Sequence, residues 1–383
     1  MEKNNMTDLE KCERLPDFLK PIVKMLLEKY KFEEVPEKPE KGVWYKYHSD
    51  KTYCGNGEPY SACLKLGSEN KLVIVFCGGG VSINAYTAAH PNNPLYPDPI
   101  NFYADDVFMQ AEIVAPHGLG SNADNNPFKN WNMLLVPYAT GDFHAGTNDF
   151  QFKTEKGENR ILHHRGYDNY RVLIDKVKEY VPSPEKLLVT GFSAGGFATA
   201  LLTDDLTEHF PSCQDVTCFP DACLLEYDGW QKSARECWKA PKEITDRLIS
   251  NDIVFDSLIS LHKKHRDRVK IIYCCSYRDA LLSQYQHFLD HGEMRMADSA
   301  DGDCFTQMLQ RFCQKLIREI PNAGLFIYNE PHEDNQPNDL TKHGVNMTDK
   351  VFTIQQDGVN CIDWIWNAVN GKTEKLGLKL LKL

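Results

Sequence analysis

Gly191-Phe192-Ser193-Ala194-Gly195 is the part of this 383-residue chain best suited to covalent chemistry. It follows an apolar run at residues 186–190 and leads into Phe197-Ala198-Thr199-Ala200-Leu201-Leu202, so a strand is predicted to turn into a helix at the serine. On such a turn the hydroxyl is exposed, and the flanking glycines let neighbouring backbone approach closely. A serine held in this way can attack an ester carbonyl once a base removes its proton. A merely flexible Gly-Ser-Gly loop is the alternative, and it does not explain why both flanks fit.

A second glycine cluster supplies what such an attack needs next. Lys71-Leu72-Val73-Ile74-Val75-Phe76 reads as a buried strand that ends in Cys77-Gly78-Gly79-Gly80. Backbone N–H groups of Gly79 and Gly80, with that of Ala194 after the nucleophile, could hold the negative charge that develops on the carbonyl oxygen. A phosphate loop is disfavoured because neither Gly-Lys-Ser/Thr nor Gly-x-Gly-x-x-Gly is present.

In this kind of fold the acid and the histidine follow the serine in the chain. Residues 269–275 read as a strand, and Asp279 stands just past its C-terminal end, where α/β sites lie. The same aspartate could instead cap the helix after it. The last apolar strand, residues 325–328, is followed by His332 and His343 in one polar stretch, and both are open as the base. Asp228 is a second candidate acid. Trp230 is a candidate for the pocket wall.

Several separated blocks resemble the pectin acetylesterase and Notum family of serine carboxylesterases. They are Gly118-Leu119-Gly120-Ser121-Asn122, Asn126-Pro127-Phe128, Trp131-Asn132, the long run Val136-Pro137-Tyr138-Ala139-Thr140-Gly141-Asp142-Phe143-His144-Ala145-Gly146, and His164-Arg165-Gly166-Tyr167-Asp168-Asn169. The similarity extends over residues 43–371. Cys77 and Val81 stand where the family usually carries an acidic residue and a tryptophan, and Arg278 precedes the candidate acid. Thr341-Lys342-His343-Gly344-Val345 is similar to the family's catalytic-histidine segment, which favours His343 over His332. The resemblance implies an α/β-hydrolase fold with a Ser193–His343–Asp279 triad, and substrate contacts from Asp142 and His144. For that pair, a buried turn held by Asp142 is the competing reading.

It further implies a serine esterase removing O-acetyl groups from pectin-type oligosaccharides, with no metal or organic cofactor. A Notum-like carboxylesterase for longer acyl chains on lipid or protein is the alternative. A binding protein on a hydrolase scaffold is the third reading.

The rest of the chain must position these residues. Strands alternate with helices from Trp44 onward, which predicts a predominantly parallel sheet wrapped by helices in one domain spanning residues 43–383. Residues 17–30 place Phe18, Leu19, Ile22, Val23, Leu26 and Leu27 at helical spacing, and with the proline-bearing linker after them they are expected to dock on that domain as an N-terminal unit, residues 1–42. The formal net charge of −11, without a basic cluster, argues against nucleic acid or an anionic membrane and favours a small acylated substrate. Thirteen cysteines and no secretory leader at Met1 lead to an expectation of free thiols in the cytoplasm; a trimmed secreted chain would break that expectation. Oligomeric state is not legible.

Overall fold

In the computed structural model, described here for residues 8–93, 98–108, 110–331 and 339–383, the chain builds a nine-stranded sheet. Its strands are β1 (Trp44–Tyr53), β2 (Pro59–Lys65), β3 (Lys71–Phe76), β4 (Asn132–Val136), β5 (Lys186–Phe192), β6 (Val216–Asp221), β7 (Val269–Ser276), β8 (Gly324–Tyr328) and β9 (Lys375–Leu376). Their order across the sheet is β1-β2-β4-β3-β5-β6-β7-β8-β9, and only β2 pairs antiparallel with its neighbours.

Composition explains which strands lie at the centre. After Lys71 every residue of β3 is fully buried, as a parallel strand covered on both faces requires. By contrast, β1 carries His48, Ser49, Asp50 and Lys51 and sits at the edge, where charged side chains keep further strands from pairing.

Helices flank this sheet. They are α1 (Asp8–Glu13), α2 (Lys20–Lys29), α3 (Gly166–Lys178), α4 (Ala194–His209), α5 (Ile253–His265), α6 (Ala280–His291), α7 (Ser299–Glu319) and α8 (Cys361–Val369). In α3 the buried Tyr170, Leu173, Ile174 and Val177 recur at helical spacing and form one apolar stripe. Helix α4 differs, since nearly its whole length is buried against β3, β5 and β6, so it reads as apolar all round. The acidic stretch at the head of α7 is a helix start: Asp298 accepts from the N–H groups of Ala300 and Asp301, and the Asp301 side chain accepts from the N–H of Asp298.

The N-terminal segment is covered only in part. In and before α2, Leu19, Val23, Leu26 and Leu27 are half-buried, while Phe18, Ile22 and Met25 face solvent. Cys12 and Leu15 ahead of it are buried, and a 2.6 Å ion pair joins Lys11 to Asp106. All thirteen cysteines are free thiols, of which Cys304 alone is exposed.

Candidate active site

Ser193 stands between β5 and α4 with φ 57° and ψ −128°, a conformation that non-glycine residues avoid. Three main-chain bonds hold it there: its N–H donates to the Asp221 carbonyl at 3.0 Å, and its own carbonyl accepts from Gly196 at 2.8 Å and from Phe197 at 3.2 Å. Glycine is required beside it because a Cβ on Gly195 would lie 1.9 Å from the Phe76 carbonyl oxygen. That contact draws the end of β3 against the elbow, so the glycine-rich loop after β3 begins next to the serine.

That loop is Cys77-Gly78-Gly79-Gly80. It pairs with the segment around Tyr103 through Val81 N–H to Phe102 O at 2.8 Å and Ala104 N–H to Gly79 O at 2.8 Å, which leaves the Gly80 N–H outside the pairing. Ala194 is the first residue of α4, so its N–H has no acceptor within the helix. Gly79, Gly80 and Ala194 all line the cavity onto which Ser193 opens. From behind, the His144 imidazole Nε2 lies 3.0 Å from the Cys77 carbonyl and braces the loop.

Asp279 and His343 meet in the same place. Just beyond β7, Asp279 caps α6 by accepting from Leu281 and Leu282 at 3.1 and 3.0 Å, and His343 Nδ1 lies 2.9 and 2.8 Å from its two oxygens. The capping role and the acid role, which the sequence offers as alternatives, coexist in one carboxylate. Thr341 laces the two loops together, accepting from Arg278 at its hydroxyl and donating its N–H to the Arg278 carbonyl, while Ala280 donates to the Thr341 carbonyl. Arg278 points away, to Asp303, Ser299 and Asp339, and fastens the acid's loop to the start of α7.

The other ring nitrogen of His343 is buried without a partner among the described residues, and His343 lines the same cavity as Ser193. Burial alone would push this imidazole down; the charge and hydrogen bond of Asp279, helped by Asp221, outweigh it and hold His343 above its ordinary value. A neighbouring carboxylate thus makes it a stronger base. His332 lies outside the described residues.

Asp221, at the end of β6, is the residue that sequence reasoning missed. It is fully buried; Oδ2 accepts from the N–H groups of Val345 and Asn346 at 2.7 and 2.9 Å, and Oδ1 has no partner among the described residues. Burial pushes its carboxyl up to about 6. An acid ending an otherwise apolar strand was the available signal. Asp228, the second candidate acid, is exposed and lines a separate cleft with Glu226, Asp290 and Arg311.

Three predicted substrate contacts are placed elsewhere. Asp142 is wholly buried, accepting from the Thr140 hydroxyl at 2.6 Å and from the N–H groups of His144, Gly146 and Gly166 at 2.8–3.2 Å. His144 is equally buried, and burial pushes it down to about 4, so it is neutral. Between them Phe143 reaches the cavity, stacked 4.3 Å from Phe197, and Trp230 packs behind that pair with its indole N–H on the Leu225 carbonyl. Asp142, His144 and Trp230 therefore support the wall and do not line it.

The cavity itself holds about 260 Å³ and is mostly apolar, with Phe143, Phe192, Phe197, Leu225 and Leu282 among its walls. Asn92, Asn101, Gln284 and Tyr285 are among its neutral polar residues, and no lysine or arginine is among its described lining residues.

Comparison with known proteins gives this geometry a family. Pectin acetylesterase 4 of Arabidopsis thaliana is 30% identical over 116 residues, covering 30% of this chain and 27% of that protein. Pectin acetylesterase 5 of the same plant is 29% identical over 157 residues, covering 40% and 34%. The matched stretches thus span about a third or less of these curated relatives. A crystal structure of the Wnt deacylase Notum from Drosophila shares the fold, with a TM-score of 0.57 at 15% identity over 86% of this chain and 93% of that one. A sequence model of the pectinacetylesterase family matches residues 48–244, which include the glycine loop, the serine elbow and Asp221 but end before Asp279 and His343. Because that match takes in just over half of the chain, the protein belongs to the pectinacetylesterase family.

Proposed function

We propose that this protein is a serine esterase that removes O-acetyl groups from carbohydrate, with Ser193 as nucleophile, His343 as general base and Asp279 as the group that orients and charges the imidazole. The observation that carries the reading is the state of His343, which lines the same cavity as Ser193 and whose Nδ1 is engaged by Asp279 while its Nε2 has no partner among the described residues. With Nδ1 holding its proton toward the carboxylate, Nε2 is left as the acceptor. Ser193 Oγ bonds to the ester carbon, its proton passes to Nε2, and the N–H groups of Gly79, Gly80 and Ala194 receive the oxyanion. Collapse expels the alcohol, which takes the proton from His343. Water then repeats the sequence and frees the acid.

Acetylated carbohydrate as the substrate is supported by family membership and by the two plant relatives named for pectin acetylesterase activity. The net charge of −11 and the cavity's lack of lysine or arginine favour a short, neutral oligosaccharide over a polyuronate. One observation favours the second reading, longer acyl chains: the cavity is far larger than an acetyl methyl and its walls are aromatic and aliphatic.

Hydrolysis of p-nitrophenyl esters from acetate to octanoate, by wild type and Ser193→Ala, tests both. Acetate preference lost in the variant supports the acetylesterase. A preference for longer chains moves the substrate to the second reading, and the absence of Ser193-dependent turnover on any ester leaves a binding protein.

A further inference from the structure

Tyr285 lies six residues beyond Asp279 on α6 and lines the cavity together with Ser193, His343 and the glycine loop. Its hydroxyl rests against that loop: a Cβ on Gly80 would fall 2.7 Å from the phenolic oxygen, and the Val81 N–H reaches it at 3.4 Å while bonding chiefly to Phe102. Edge-on packing against Phe102 fixes the ring. The oxygen accepts weakly, and its own proton has no acceptor among the described residues.

Tyr285 is half-buried at the cavity wall, and its hydroxyl beside Gly80 is placed to donate to an acceptor bound there. The acceptor that arrives beside Gly80 is the substrate's carbonyl oxygen. We propose that the Tyr285 hydroxyl is a further donor to the oxyanion, alongside the N–H groups of Gly79, Gly80 and Ala194. This inference rests on the esterase reading. As Ser193 Oγ bonds to the carbonyl carbon, the π pair moves onto oxygen and the serine proton moves to His343; Tyr285 shares its proton with the new charge and keeps it. Burial holds the phenol well above its usual value, so it remains a donor wherever the imidazole is neutral.

Tyr285→Phe removes only the oxygen. A donor used mainly in the transition state predicts a fall in kcat of about 10²-fold with KM within about twofold. The affinity of a trifluoromethyl ketone, which forms a tetrahedral oxyanion on the serine, should fall in parallel, with the melting temperature unchanged. Wild-type kcat in Tyr285→Phe, or a rise in KM alone, overturns the inference while leaving the esterase in place. Absence of Ser193-dependent turnover in the wild type removes both together.

Discussion

Asp279→Asn separates the two duties of one carboxylate. In the wild type, Oδ1 accepts from Leu281 and Leu282 at the head of α6 and lies 2.9 Å from His343 Nδ1, while Oδ2 lies 2.8 Å from the same nitrogen and has no other partner among the described residues. Asparagine keeps an oxygen for the cap, where Asn and Asp are nearly equivalent, and presents an NH₂ to the imidazole. Two N–H groups cannot face each other at that distance, so the ring must carry its proton on Nε2, and the base toward Ser193 is lost. A wrong-tautomer loss of this kind amounts to about 10⁴-fold in kcat, or about 5.5 kcal/mol in the barrier. Melting temperature should move by no more than about 3 °C, because the cap survives. Asp279→Ala is the contrast: it also removes the cap, for about 1 kcal/mol, and strands two N–H groups. Steady-state hydrolysis of p-nitrophenyl acetate with a parallel thermal melt reads both quantities. Retention of more than about a tenth of kcat in Asp279→Asn, or a loss of activity explained by unfolding, would refute the tautomer argument.

The pH profile should carry an acid limb above the ordinary imidazole value of about 6.5, since His343 is raised and acts as a base only when neutral. The linked stability runs the other way, present where the imidazole is protonated and fading as pH rises through its folded value. Asp221→Asn removes part of what raises it and should move the limb to lower pH, as kcat/KM against pH would record. Gly195→Ala should prevent native folding altogether, because its methyl would stand 1.9 Å from the Phe76 carbonyl; soluble expression with a normal melt would contradict the close packing at the elbow.

The parts of the site that were readable from sequence are those whose geometry is written in contiguous residues. Ser193 and the Gly79–Gly80 pair declare themselves because strand, glycine and helix must follow one another for either structure to form. Asp279 was placed by its position at the end of β7. Strand spacing left His332 and His343 both open, because what sets the base is a set of tertiary bonds, from Thr341 to the acid loop and from Asp221 to Val345 and Asn346. At Asp142 and His144 the structure has the buried turn that competes with the substrate-contact reading: residue type reports what a side chain can do but not its depth, and a polar turn whose hydrogen bonds close on themselves can lie as deep as leucine. In the N-terminal helix the apolar stripe marks the side that is half-covered, at Leu19, Val23, Leu26 and Leu27, while the deepest contacts of the segment are made by Lys11, Cys12 and Leu15 ahead of it.

Asp221 holds the elbow through its carbonyl and the histidine's loop through its carboxylate, so Ser193 and His343 are both fastened to a single residue at the end of β6. With Thr341 pinned to the acid's loop and Lys342 donating its N–H to the Glu330 carbonyl at 2.9 Å, the segment that carries His343 is tied to three separate parts of the fold, and a shift of any one of them would be resisted by the other two.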